Sequence, residues 1–389
     1  MIRPDARLVA RIDLDRLAAN WDALNTLSGQ AECAAVIKAN AYGHGVREIA
    51  LTLVHAGCRM FFTAGYEEAS ELREILDPVL PDAIIAVFDS ITGHDREAVL
   101  NRAVIPTINS LHDLGLFARW AGEAGTPLPA MLQLDTGMNR LGAGADELGQ
   151  IVNSPDFGAA DWRLVFSHLA SADEPDNPQN PRQKTAFDEM RATLPGIAAN
   201  TPASIAATGG IMLGEGFHYQ VTRPGIGLYG LSPVPAFSDH LQPVISLYAR
   251  VLQIREANPG ETVGYNATAT LTRPSRLATI AGGYADGVRR HLSNKGHAFR
   301  NGLSAPIIGR VSMDTVVIDI TDWPDNNLTP NSLTPNRLTP GDYVELIHDG
   351  YDADAMAAQS GTIGYDILTG LGLRATPHYD GDIMNRIHF

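Results

Sequence analysis

Ala34-Ala35-Val36-Ile37-Lys38-Ala39-Asn40-Ala41-Tyr42-Gly43-His44-Gly45 is the stretch on which the fold turns. A short apolar run ends in a lysine, and a loop of Asn, Tyr, His and two glycines follows at once. A strand, a reactive type of side chain and a glycine loop in that order form the layout of an active-site rim on a rigid scaffold. The stretch also lacks the glycine fingerprint that follows the first strand of an open, doubly wound dinucleotide-binding sheet.

Working outward, strand-like runs recur at 34–37, 60–64, 83–88, 104–108, 130–134, 164–167, 203–207 and 226–229. Between them lie amphipathic stretches such as 66–76, 111–124 and 183–194, with apolar residues three and four apart. Strand–helix alternation of this kind means parallel strands joined by helical crossovers. Eight such strands predict a (β/α)8 TIM-like barrel over 13–235, preceded by an extra helix at 14–27. Beyond Pro235 the rhythm changes. Runs at 244–255, 275–282, 307–320 and 342–347 are rich in Val, Ile and Thr and separated by Pro/Gly turns, which predicts a second, mainly β domain over 236–389 without helices between the strands. A tandem Leu-Thr-Pro repeat at 328–340 reads as an exposed, expanded loop, because frequent proline blocks strand pairing.

At 389 residues the chain exceeds one average domain, which suits a barrel plus a smaller unit. A hydrophobic content of 44% against 19% charged residues leaves ample material for a large core. The net charge of −15 argues against a general affinity for nucleic acid or anionic membranes, while still allowing a local basic pocket for a phosphate. Cys33 and Cys58 support neither a disulfide framework nor a Cys-type metal site, and they read as buried residues of a cytoplasmic protein. No signal peptide is evident at residues 1–7, and no run approaches the ~18 apolar residues of a membrane span.

On such a barrel, functional side chains sit at the C-terminal ends of strands. Lys38 ends the first. The fifth ends in 133–142, which contains Gln133, Asp135 and Arg140; the sixth ends in Ser167-His168 and the seventh in Thr208-Gly209-Gly210. Arg223-Pro224-Gly225-Ile226-Gly227 is read as preceding the eighth. Singly, a lysine at a strand end is usually a solvated charge, a histidine a satisfied core residue and an arginine a surface charge. Together on one rim they are much harder to dismiss. An amine nucleophile acts by forming a Schiff base, and the commonest protein-bound aldehyde is pyridoxal phosphate. Glycines near the seventh and eighth strands suit a phosphate held by backbone N–H groups.

The sequence resembles the alanine racemase family of fold-type III pyridoxal-phosphate enzymes in AVIKANAYGHG at 35–45, LDTGMNRLG at 134–142, RPGIGLYG at 223–230, GYADG at 283–287 and GRVSMD at 309–314. These stretches follow the family's order over nearly the whole chain. The resemblance implies that residues 1–12 form a strand packed with the C-terminal domain. It implies that Lys38 holds pyridoxal phosphate and is one of two acid–base catalysts. Tyr42, Thr208, Gly225, Ile226 and Tyr365 would contact the phosphate, Arg223 would face the pyridine nitrogen, and His168 would bridge Arg223 and the second catalyst, Tyr265. Arg140 would clamp the substrate carboxylate with help from Met313. Tyr265, Tyr284 and Met313 would reach the site from the partner subunit of a homodimer. The implied activity is interconversion of L- and D-alanine, supplying peptidoglycan.

The chain also departs from the family's pattern. Gln133 stands where many members carry a carbamylated lysine, and a bound anion such as chloride, or Asp135, would have to supply the missing charge beside Arg140. Thr208 replaces the usual serine, and Asn266 replaces a common glycine after the tyrosine. Two other readings are a racemase for serine or for larger or basic amino acids, and a non-catalytic pyridoxal-phosphate-binding protein. The latter relatives are typically barrel-only and would lack the domain that carries Tyr265 and Met313.

Overall fold

The computed structural model describes residues 6–101, 103–324, 337–372 and 374–385. Most of the Leu-Thr-Pro repeat lies outside the described residues. Its last copy places Leu338 in the interior and ties the Thr339 N–H to Asp342 at 2.8 Å. None of the described helices is long and apolar enough to cross a membrane.

The chain divides into two compact units. In the unit Asp15–Gln242, Ala35–Val36 pairs in parallel with Met60–Thr63, which pairs with Ile84–Val87. An Ala86–Ile105 bridge leads to Thr107–Ile108, and pairing continues through Leu128–Gln133, Ala160–Phe166 and Ala203–Ser204. An Ala207–Arg223 bridge then leads to Val221–Thr222, whose partner is Glu32–Cys33. Because Glu32–Cys33 runs directly into Ala35–Val36, the pairing returns to its start. The result among the described residues is a closed parallel barrel of eight short strands, buried on both faces and so read as nearly continuous apolar runs.

The crossover helix Leu111–Ala124 illustrates the local rules. The Ser110 hydroxyl accepts the Asp113 N–H at 3.2 Å, Leu114, Phe117, Trp120 and Ala121 turn inward, and Gly125 ends the helix at φ +68°.

One expected strand is corrected. Ile226–Tyr229 is a 3₁₀ turn, and the eighth strand is Val221–Thr222. The Gly225 and Gly227 N–H groups turn to the Thr208 hydroxyl, at 3.1 and 3.2 Å, which an extended run would not permit. Arg223 therefore follows the last strand instead of preceding it.

The other unit joins the described residues through Leu14 with Pro243–Met384. Leu8–Asp13 pairs antiparallel with Ile245–Ala257 and parallel with Ala375–Asp380. Ile245–Ala257 alternates buried and half-buried residues from Ile245 to Val251 and also pairs with Ser275–Ala281 and Tyr343–Ile347. The unit is mainly β, as expected, and two helices follow the last of the four expected runs: Asp352 caps Ala353–Ser360, and Gly364–Thr369 comes next. The long run expected at 307–320 narrows to Thr315–Asp319, because the Ser312 hydroxyl binds Thr315 and turns the chain.

Candidate active site

Lys38 stands at the C-terminal end of the first barrel strand, and the four residues after it leave ordinary backbone space. Ala39, Asn40, Ala41 and Tyr42 have φ of 54°, 52°, 53° and 53°, a left-handed turn without a glycine. Such geometry costs roughly 1–2 kcal/mol per residue, so surrounding contacts must hold it. The Ala39 N–H donates to Glu68 Oε1 at 2.7 Å, Asn40 Oδ1 receives the Val46 N–H at 2.8 Å, and Gly43 closes the turn at φ +83°. The half-buried Lys38 amine lies 5.9 Å from the centre of the Phe88 ring. Its basicity is lowered by burial and then by the charge of Arg140, against smaller opposing effects of Glu68 and Asp89.

Arg223 is 2% exposed, stacked 4.9 Å over Phe166. Its terminal nitrogens donate to the Ser204 hydroxyl and, at 2.7 Å, to the Ser167 carbonyl. Burial lowers its pKa to about 9, which leaves the guanidinium charged at neutral pH. His168 is pulled down to about 3 by burial and then by Arg223, Arg140 and Lys38, so it is neutral. Electrostatics thus group these four residues at one barrel end. Ser204 and Ser167 take two of the guanidinium's five N–H groups, and His168 stands close enough to have its pKa depressed by that charge.

Arg140 is exposed near this group. Gln133 is buried; its amide N–H donates to the Leu141 carbonyl at 3.3 Å, and its oxygen has no protein partner. Asp135 does not serve Arg140 through Oδ1, which accepts the N–H groups of Gly137, Met138 and Asn139 at 2.9, 2.9 and 3.1 Å and shapes the loop.

The seventh and eighth strands end in a cradle of small groups. Thr208 opens the short helix Thr208–Met212, and Ile226 opens the 3₁₀ turn. A Cβ on Gly225 would lie 2.5 Å from Tyr42 Oη, so the phenol closely approaches the glycine backbone. Tyr42 packs on Tyr229 with ring centres 4.8 Å apart, and His44 stacks on that ring at 4.6 Å.

The remaining expected residues lie in the other unit. Tyr265 begins a 3₁₀ turn and is 68% exposed; Asn266 follows at φ +61°, a conformation that asparagine tolerates better than most residues. Tyr284 and Met313 are also exposed and their turns interlock, the Tyr284 N–H donating to Ser312 at 3.0 Å and the Ala285 N–H to Met313 at 3.1 Å. Asp286 fixes this turn, accepting the Gly283 N–H at 2.9 Å and binding Arg374 through both carboxylate oxygens. Tyr365 projects from Gly364–Thr369. Sequence reasoning missed Ser204 and Glu68. The only signal for Glu68 is an acidic residue in a helix's first turn, which reads as routine capping.

A closed parallel barrel with a lysine, two arginines and a histidine gathered at its C-terminal rim, continued by a mainly β unit, defines an enzyme built around a strand-end amine. The family profile "Alanine racemase, N-terminal domain" matches residues 12–233, and "Alanine racemase, C-terminal domain" matches 244–379. The chain is 42% identical to the alanine racemase of Acidiphilium cryptum over 93% of its own length and 96% of that protein. It is 38% identical to the one from Rhodospirillum rubrum over 97% and 96%. The crystal structure of alanine racemase from Bartonella henselae with covalently bound pyridoxal phosphate superposes with a TM-score of 0.87 at 37% identity, covering 96% of this chain and 100% of that one. The biosynthetic alanine racemase from Pseudomonas aeruginosa gives 0.82 at 30% identity, covering 97% and 100%. The chain belongs to the alanine racemase family.

Proposed function

We propose that this chain interconverts L-alanine and D-alanine by a two-base route, with Lys38 serving one face of Cα and Tyr265 of the partner subunit the other. Membership of the family makes it an isomerase acting on alanine, with pyridoxal phosphate as cofactor. The observation that carries the reading is the gathering of Lys38, Arg140, His168 and Arg223 at one barrel end.

The residues fit the cofactor. The closely approached Gly225 backbone beside Tyr42 and Thr208 suits a phosphate, and the Arg223 Nε–H remains once the terminal nitrogens have bound Ser204 and Ser167. Bound there, pyridoxal phosphate would supply an aldehyde carbon for the lysine amine and a ring that weakens the substrate's Cα–H bond.

Each side chain then has a defined task. A guanidinium can only donate, so Arg223 would keep the ring nitrogen facing it unprotonated and limit how far charge spreads from Cα, favouring return of the proton there. The lowered basicity of Lys38 increases its neutral fraction, which can accept a proton. Arg140 would hold the substrate carboxylate. Neutral His168 adds no charge to a region that already holds three cations. Inverting a carbon requires removal of a proton from one face and delivery to the other, and Tyr265 is the exposed candidate for the second face. Its phenol, with Tyr284 and Met313, is proposed to serve the site of a partner copy in a homodimer, and Tyr365 is proposed to contact the cofactor's phosphate. The D-alanine formed would supply peptidoglycan.

The test is to incubate cofactor-loaded protein with L-alanine, L-serine and L-lysine separately and to measure the D-enantiomers by chiral chromatography. D-Alanine approaching half of the total, with much slower turnover of the others, is expected. No D-alanine from protein with an intact visible absorbance would refute the reading.

A further inference from the structure

We propose that Glu68 is a positioning residue for Lys38: its carboxylate fastens the left-handed turn after the lysine to the loop leaving the second barrel strand. The proposal rests on the reading of Lys38 as the cofactor-bearing amine. One carboxylate oxygen receives the Ala39 N–H at 2.7 Å and the other the Ala64 N–H at 2.9 Å. Ala39 directly follows Lys38 and is the first residue of the turn, at φ +54°. Ala64 directly follows the strand Met60–Thr63, which pairs with the strand leading into Lys38. Glu68 thus joins two adjacent strand ends, and the direction of the Lys38 side chain is set at that joint.

The choice of a carboxylate matters. Only an anion accepts two N–H groups through two equivalent oxygens with charge-assisted strength. An amide has one acceptor oxygen and would leave one N–H unsatisfied. The same charge acts on the amine. Around Lys38, burial and Arg140 lower its basicity, whereas Glu68 and Asp89 raise it. Removing the Glu68 charge therefore lowers the lysine pKa further, whatever happens to the turn.

Wild type, Glu68→Gln and Glu68→Ala are compared in two ways. In cofactor-free protein, hydrogen exchange is followed in peptides covering 38–46 and 62–66, and the pH dependence of Lys38 acetylation is mapped by mass spectrometry. In loaded protein, kcat and KM for L-alanine are measured. Both variants are expected to exchange at least about tenfold faster in these two segments, with the acetylation midpoint moved to lower pH. A fall in kcat of about tenfold or more is expected in Glu68→Ala, with KM changed less than about threefold because Arg140 is untouched. If Glu68→Ala does not fold, the isosteric Glu68→Gln carries the test. Unchanged exchange and an unmoved acetylation midpoint would overturn the proposal. The cofactor-free readouts do not depend on racemisation, so failure here is distinguishable from failure of the functional reading.

Discussion

At the scale of single residues, the site depends on which groups are denied a charge. Lys38 and Arg223 were legible in the sequence through their company: each is ordinary alone, but both fall at strand ends of one rim, inside the stretches AVIKANAYGHG and RPGIGLYG. Ser204 and Glu68 were not, because a hydroxyl or carboxylate acquires its task only when the fold brings a distant N–H to it. Buried histidines give this scale a measurable consequence. His44 is held neutral by burial, with its pKa pulled down to about 4. In the unfolded chain it titrates near ~6.5, so unfolding takes up a proton throughout the window between these values. The stability is fully present above about pH 6.5 and falls as pH drops, by about 2 kcal/mol at about pH 5 for this one group. His168 adds an effect of the same sign. Denaturant unfolding of the cofactor-free protein at pH 7 and 5 should show a loss of stability at the lower pH that is smaller in His44→Gln; an equal loss in both proteins would assign the dependence to other groups.

At the scale of elements, the sequence was most informative where the signal is local. Tyr66–Leu76 and Leu111–Ala124 lie where their periodicity places them, because amphipathic spacing and caps belong to the segment itself. Barrel strands of two residues, such as Ala203–Ser204, exist only through pairing with neighbours, and an apolar run cannot declare its ends. Ile226–Tyr229 was misread for the same reason: Gly-Ile-Gly-Leu-Tyr alternates like a strand, while its N–H groups are drawn to Thr208. That turn makes a direct prediction. In Gly225→Ala the new methyl carbon would sit 2.5 Å from Tyr42 Oη and 3.3 Å from its Cζ, so either the phenol or the backbone must move. Titration with pyridoxal phosphate, followed by visible absorbance, should show affinity weakened by about tenfold or more. Unchanged affinity would exclude this turn from the phosphate cradle.

At the scale of the whole molecule, the succession of a barrel and a mainly β unit was legible from the change in rhythm near Pro235. The helices Ala353–Ser360 and Gly364–Thr369 were not, since short Ala-rich or Gly-flanked segments carry little periodicity. Nor could chain order tell whether exposed Tyr265 serves its own barrel or another copy's. The central claim is that one site takes Lys38 from one chain and Tyr265 from another, as the closed symmetry of a dimer permits. Lys38→Ala and Tyr265→Ala, separately tagged and each inactive alone, are mixed under conditions that exchange subunits, and D-alanine formation is measured. Random reassortment makes about half of the dimers mixed, each with one site holding both native residues, so activity should return to about a quarter of wild type. Mixed dimers recovered through both tags that remain as inactive as either parent would contradict the account.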